Sequence, residues 1–196
     1  MGGKRIIMID IDEVIAKGEE YNINETEDVF AKMLACQDKC AEYNKLAPSD
    51  MESRVKMLPN IFGKLGEIFW VASPVYAGVG KNIETGNHFY VSHNVMFMDL
   101  AKIKFGDDVW IGPNVGFYTS GHSIDPARRL AGCGYAYPIT VGDNVWFGAN
   151  SIVVPSRPEG ITIGKNSIIA AGTVVNKDVP ENVLVAGNPC RIIKTI

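Results

Sequence analysis

The chain has 196 residues, 46% of them hydrophobic and 21% charged, a length that favours one domain, or one domain with an appendage, around a real core. Its 19 Lys and Arg against 22 Asp and Glu leave a formal charge of −3, which argues against a nucleic-acid or anionic-membrane surface. The 20 Gly and 10 Pro are scattered through apolar sequence, so a disordered chain is excluded as well.

The opening Met1-Gly-Gly-Lys-Arg5 lacks the apolar stretch of a signal peptide, and no run of eighteen apolar residues is present to span a membrane. A cytoplasmic protein is expected, with Cys36, Cys40, Cys133 and Cys190 as free thiols. No metal is expected at Cys36 and Cys40, since none of the 3 His lies near them. The run Ile6 to Val14 holds Asp10 and Asp12 after an apolar stretch and resembles the opening of haloacid-dehalogenase-type phosphatases. That chemistry needs a doubly wound sheet, which residues 13–196 do not supply, so the run reads as coincidence or as an extension packing on the helices that follow.

Residues 12–68 read as helix. Between Asn24 and Asn44 the apolar residues Val29, Phe30, Met33, Leu34, Cys36, Cys40 and Ala41 recur every three to four positions, and Asn24 with Glu27 makes a capping box. A second helix is expected after Pro48, capped by Ser49 or Asp50, carrying Met51, Val55, Met57, Leu58, Ile61, Phe62 and Leu65 and stopping at Gly66. Residues 1–74 are therefore expected to form a helical cap and residues 75–196 a second unit.

From about residue 75 the period becomes six. The blocks begin at Val79, Thr85, Val91, Phe105, Ile111, Val141, Phe147, Ile163 and Ile169, each followed by a small residue and then turn-formers, as in Val141-Gly-Asp-Asn-Val145. Such a repeat predicts a parallel β-helix: the first residue fills a prism interior, the glycine beside it permits the corner, and about eighteen residues complete a coil. Coils bury their interior only by stacking, so both ends need caps. The helices can close one end and Asp178 to Ile193 the other. Insertions break the count between Phe97 and Phe105, between Phe117 and Val141 (an extended loop, 123–140), and between Val153 and Ile163. Long loops on a rigid scaffold are usually functional, and the longest starts beside His122.

The hexapeptides, together with Tyr118-Thr-Ser-Gly-His122, Asn144-Val-Trp-Phe-Gly148, Val174-Val-Asn-Lys-Asp-Val-Pro180 and Gly187-Asn-Pro-Cys-Arg191, resemble the maltose/galactoside O-acetyltransferase family across nearly the whole chain from Glu13. The resemblance implies a mainly β fold: a left-handed parallel β-helix of hexapeptide repeats with an N-terminal helical cap. It further implies a homotrimer that transfers acetyl from acetyl-CoA to a hydroxyl of a sugar or similar small acceptor, without a metal. The family's catalytic histidine falls on His122, the natural base for a hydroxyl that attacks a thioester. The oxyanion or acceptor position, usually Asn, is Ser92 here, so Asn94 or a backbone N–H is a candidate donor. Asp99 is a candidate acceptor carboxylate or an ordinary exposed turn residue. Cofactor contacts carry over to Ala149, Ala171, Asn176, Lys177, Arg191 and Lys194, and the insertion Ser156 to Glu159 lies near them. The net-basic segment 157–196 suits an anionic ligand. Family acceptor positions are Ile23, Gly78, Leu100 and Gly134 here, so several polar acceptor contacts are missing.

Two other readings stay open from the residues. His88, His93 and His122 invite comparison with the γ-class carbonic anhydrases, metal-dependent lyases on the same scaffold, although there the close pair of histidines follows the isolated one. A non-catalytic β-helix scaffold is the third.

Overall fold

The computed structural model describes residues 10–26 and 29–196. Parallel strands stack into a three-faced prism. The first face runs through Phe69–Val71, Phe89–Val91, Trp110–Ile111, Trp146–Phe147, Ile168–Ile169 and Val183–Ala186. The second comprises Val75–Ala77, Val95–Met98, Gly116–Tyr118, Ile152–Val153 and Val174–Val175. The third comprises Ile83–Glu84, Ile103–Phe105, Ile139–Val141 and Ile161–Ile163. The first coil strand, Phe69–Val71, precedes residue 75, so the solenoid starts inside the segment assigned to the cap.

In-register pairing puts like side chains above one another. Phe97 and Phe117 are paired residues whose rings stack at 5.4 Å, and Phe147 meets Phe117 edge-on at 5.1 Å. Such pairs contribute about 0.5–1.5 kcal/mol each beyond their buried area, and they fill the middle coils where the larger residues of the repeat fall. Toward the C-terminal end Val153 and Val175 take the same column.

The turn chemistry differs from the expected one. The left-handed corner residues are Asn94, Asn114, Asn144, Asn150, Asn166 and Asn182, with His88 and Asp108, all at φ between 53° and 61°. Asparagine tolerates that region best among residues with a side chain. The repeat glycine serves close approach instead: a Cβ on Gly142 would stand 2.7 Å from the amide nitrogen of Lys165 on the next coil. The corner asparagines also join coils, Asn144 Nδ2 donating to Asn166 Oδ1 at 3.0 Å and Asn166 Nδ2 to Asn182 Oδ1 at 2.7 Å. The block at Val79 is not a coil block, because Val79 packs in a second apolar cluster with Ile11, Val29 and Leu100 and away from the prism interior.

Among the described residues four helices lie outside the prism: α1 (Ile11–Ala16), α2 (Val29–Lys45), α3 (Met51–Met57) and α4 (Pro126–Leu130). Asp50 caps α3, its Oδ1 accepting from the Ser53 amide at 3.2 Å. That helix gives way to a 3₁₀ turn at Leu58–Asn60, well short of Gly66, because the chain from Ile61 already docks on the first coil, where the Gly63 amide donates to the Gly80 and Ile83 carbonyls. Of the stripe read on α2, Phe30 and Leu34 are 63% and 61% exposed, while Cys36 and Cys40 are buried along with Tyr43. Glu27 of the expected capping box lies outside the described residues, as do residues 6–9 of the phosphatase-like run. Asn24 sits in a 3₁₀ turn (Ile23–Glu25), not at the start of α2.

Three side chains explain why these helices form a cap. Tyr43 Oη donates to the Val71 carbonyl at 2.5 Å, and Arg54 Nη2 donates to the same oxygen at 2.9 Å with its guanidinium over the Tyr43 ring. Asn44 pairs with Val75 like a strand residue, Nδ2 to its carbonyl and Oδ1 from its amide, both at 2.9 Å. The open edge of the first coil is thereby satisfied. At the far end Arg191–Thr195 turns back antiparallel on Val183–Ala186 and ends the stack.

Candidate active site

Every departure from the regular coil falls on one edge of the prism, between the second and third faces: residues 78–82, 99–102, 119–138 and 154–160. His122 is on this edge. The long loop is not irregular: Ser120–His122 and Cys133–Ala136 form an antiparallel hairpin, and Tyr21–Asn22 adds a third strand beside Cys133–Gly134. At its tip is α4, begun by the Asp125-Pro126 pair, with Asp125 Oδ1 accepting from the Arg128 amide at 2.9 Å. That dipeptide, an N-cap followed by proline at the first helical position, is the sequence signal for this helix.

A strap from the N-terminal segment holds the hairpin. Glu20 pairs with the Arg128 guanidinium, Nε standing 2.6 Å from Oε2; hydrogen bonds from Ser123 and then Arg128 hold the Glu20 carboxyl below its usual range. The Ile23 amide donates to the Gly132 carbonyl at 3.0 Å, and Asn24 Nδ2 to the Ala131 carbonyl at 3.1 Å. Backbone pairing therefore fixes the strand that carries His122, and the imidazole itself is exposed. Cys133 is buried, and strand alternation sends its side chain to the opposite face of the sheet from His122, which pairs with Gly134.

The other candidates are dispersed. Ser92, Asn94, Ala149 and Ala171 lie on a different edge, between the first and second faces, where successive corners stack: the Asn114 amide donates to His93, that of Asn150 to Pro113 and that of Gly172 to Ala149. Ser92 is half-buried there, and Asn94 is exposed with its Nδ2 donating to Asn114 Oδ1 at 2.7 Å. Within the chain, neither is brought to His122. Asn176 and Lys177 follow the last second-face strand on the His122 edge, both exposed. Lys177 and Arg191 line one cavity of about 350 Å³ with Cys190 and Ile192. Lys194 pairs with Leu184 in the closing strand and is not among its lining residues. The insertion at 156–159 folds back along this edge, where Arg157 pairs with Asp178, next to Lys177.

Asp99 is neither an exposed turn residue nor an available acceptor ligand. It is fully buried, its Oδ1 accepting from the Val79 amide at 2.8 Å and its Oδ2 from the Asn82 amide at 3.3 Å. Burial pushes its pKa up, against the lowering effect of these backbone donors. A raised folded pKa means the native state holds that proton more tightly, so the contribution is present at low pH and is lost as pH rises from the ordinary carboxylate range through the folded value. Compared with D99N, wild type should therefore lose ground over that interval. Denaturant midpoints of the two proteins measured from pH 4 upward test this, and a constant difference would refute it.

The apolar replacements at the acceptor positions have structural uses. Ile23 and Leu100 pack together with Ile11, Val29 and Val79 in the second apolar cluster. His88, His93 and His122 lie on three different prism edges: His88 Nδ1 faces Asp108 Oδ1 at 3.1 Å, and His93 Nδ1 lies 2.6 Å from the Ser73 carbonyl. They cannot be one ligand set within the chain, and among the described residues no three His, Cys, Asp or Glu side chains converge as a metal site.

The maltose acetyltransferase hexapeptide capping motif matches residues 15–66, and the hexapeptide repeat of succinyl-transferase matches residues 138–177. Galactoside O-acetyltransferase of Escherichia coli is 42% identical over 155 residues, 79% of this chain and 74% of that protein. A galactoside acetyltransferase solved in complex with coenzyme A superposes with a TM-score of 0.89 at 38% identity, covering 96% of this chain and 92% of that one. A hexapeptide-repeat acetyltransferase of Vibrio cholerae, complexed with acetyl coenzyme A, gives 0.84 at 35% identity, covering 95% and 98%. The matched cap and repeats coincide with the helices that close the first coil and with the coils that follow the His122 hairpin. The chain belongs to the maltose/galactoside O-acetyltransferase family, whose left-handed β-helix and N-terminal helical cap it carries.

Proposed function

We propose that this enzyme transfers the acetyl group of acetyl-CoA to a hydroxyl of a sugar or related small acceptor in a ternary complex, with His122 as general base. The observation that carries the reading is the His122 hairpin, which presents an exposed imidazole on a strand paired with Cys133–Ala136, itself held on its other side by Tyr21–Asn22. In this mechanism the imidazole takes the hydroxyl proton as the C–O bond forms, the thioester carbon becomes tetrahedral, and its collapse expels the CoA thiolate. The oxyanion requires donors aimed at it, for which Ser92 and neighbouring backbone amides are the candidates. No acetyl-enzyme is invoked, since Cys133 is buried and turned away from His122.

The active unit in this reading is a homotrimer. His122 and the small-residue edge of Ser92, Ala149 and Ala171 belong to different prism edges, so a neighbouring subunit must complete the site. Self-association is further supported by the outer surface of the first face, where Trp70, Tyr90, Trp110, Trp146 and Ile168 stand in one register. Trp110 and Trp146 are 50% and 53% exposed and line a groove of about 640 Å³ with Ile168 and Ile196. An aromatic strip of that kind marks an association surface. Ala149 and Ala171 leave room for a pantetheine chain, and Lys177 and Arg191 supply cations for phosphate groups. A cytoplasmic location belongs to the same reading, since the reaction draws on acetyl-CoA, a cytoplasmic metabolite.

A thiol-release assay with acetyl-CoA and a panel of sugars, amino sugars and small alcohols tests the function. Acceptor-dependent release of free CoA is expected. Release that is independent of every acceptor, or none at all, would refute it.

A further inference from the structure

The small antiparallel sheet brings three residues into one row. Tyr21 lies opposite Gly134, and Gly134 lies opposite His122. Residues directly opposite in antiparallel strands project to the same face, so Tyr21 and His122 leave the sheet together with no side chain between them. The space above Gly134 is filled from the side: a Cβ there would stand 3.1 Å from the Tyr21 hydroxyl oxygen and 3.2 Å from its Cζ. Glycine at 134 thus lets the phenol lie across the middle strand toward the imidazole. With adjacent strands about 4.8 Å apart, a hydroxyl above the middle strand is about one strand spacing from the His122 row. A molecule touching the imidazole also reaches the phenol.

Other polar side chains of the strap are already committed. Glu20 holds Arg128, Asn22 accepts from the Asn24 amide at 3.0 Å, and Asn24 holds the Ala131 carbonyl. Tyr21 is the strap residue that faces the histidine. Burial, with Tyr135 nearby, pushes its pKa up to about 12, so it stays a neutral donor throughout the physiological range.

We propose that Tyr21 is an acceptor-binding residue whose hydroxyl donates to an acceptor oxygen beside the one that His122 deprotonates. The reacting oxygen itself is the wrong partner, because a donor there would weaken its attack on the thioester. The acceptor must then carry a second oxygen next to the reacting one, so the site selects sugars and polyols over monohydric alcohols. This assignment rests on the acetyl-transfer reading above.

The test is Y21F, which keeps the ring and removes only the donor. Thiol release is measured with glucose, maltose, methyl β-galactoside and glycerol as polyols and with 1-butanol as the monohydric control. For the best polyol, kcat/KM should fall about three- to ten-fold, the value of one neutral hydrogen bond, while kcat/KM for 1-butanol and KM for acetyl-CoA stay at wild-type values. An unchanged ratio of polyol to 1-butanol would overturn the proposal, as would an equal loss for both, since that is the mark of a support for the sheet. Absence of acceptor-dependent release from wild type would overturn the transfer reading and this assignment with it, which separates the two failures.

Discussion

H122A is expected to lower kcat for acetyl transfer by about 10²–10⁴-fold, the range associated with a positioned general acid or base. KM for acetyl-CoA and the thermal midpoint should stay near wild type. The reason is local: the strand Ser120–His122 is held by Ala136, Tyr135 and Gly134 through its backbone, and the hairpin by Glu20, Ile23 and Asn24. Removing an exposed imidazole leaves those contacts standing. Steady-state thiol release with saturating acetyl-CoA reads the effect directly. A variant that keeps more than about a tenth of wild-type kcat would remove His122 from the role of base, since even a modest proton-transfer contribution exceeds that.

How much of this was legible in the sequence depends on which interactions are periodic. The prism was legible because Val91, Ile111, Phe147 and Ile169, or Val141 and Ile163, hold the same slot of the six-residue block, and the stacked coils superimpose them. His122 was legible because it ends the last regular run before the longest insertion. The strap was not. Tyr21–Asn22 pairs with Cys133–Gly134 across more than a hundred positions, and a two-residue strand has no pattern of its own. Asp99 was misread for a similar reason: in the chain it looks like a turn residue, and only the stacked corner at 78–82 buries it. The glycine rhythm pointed to the right corners for the wrong reason. A period of six cannot distinguish a residue that bends the chain from one that lets the next coil approach, and the bend falls to Asn144 and its counterparts.

That misreading of corners bears on the largest remaining expectation, which concerns where a complete site is assembled. His122 stands on the edge between the second and third faces, while Ala149 and Ala171 stand on the edge between the first and second. A rigid parallel prism gives one chain no means of moving these edges together, so in the proposed trimer each site draws its base from one subunit and its small-residue edge from a neighbour. H122A destroys the first half. A171W should destroy the second by filling the room that Ala149 and Ala171 leave for the pantetheine chain, and because Ala171 is exposed at a corner the indole need not disturb the core. Each variant alone is expected to have at most about a hundredth of wild-type activity. When the two are unfolded, mixed in equal amounts and refolded, a subunit with intact His122 meets a neighbour with an intact edge in about one site in four, because a cyclic assembly pairs subunits head to tail. Activity should therefore rise to about a quarter of the wild-type value in the mixed sample. Refolded parents kept separate should stay inactive. A mixed sample no more active than its parents, with mixed trimers demonstrated by mass, would mean that each subunit holds a whole site, and the shared-site geometry would fall while the role of His122 stood.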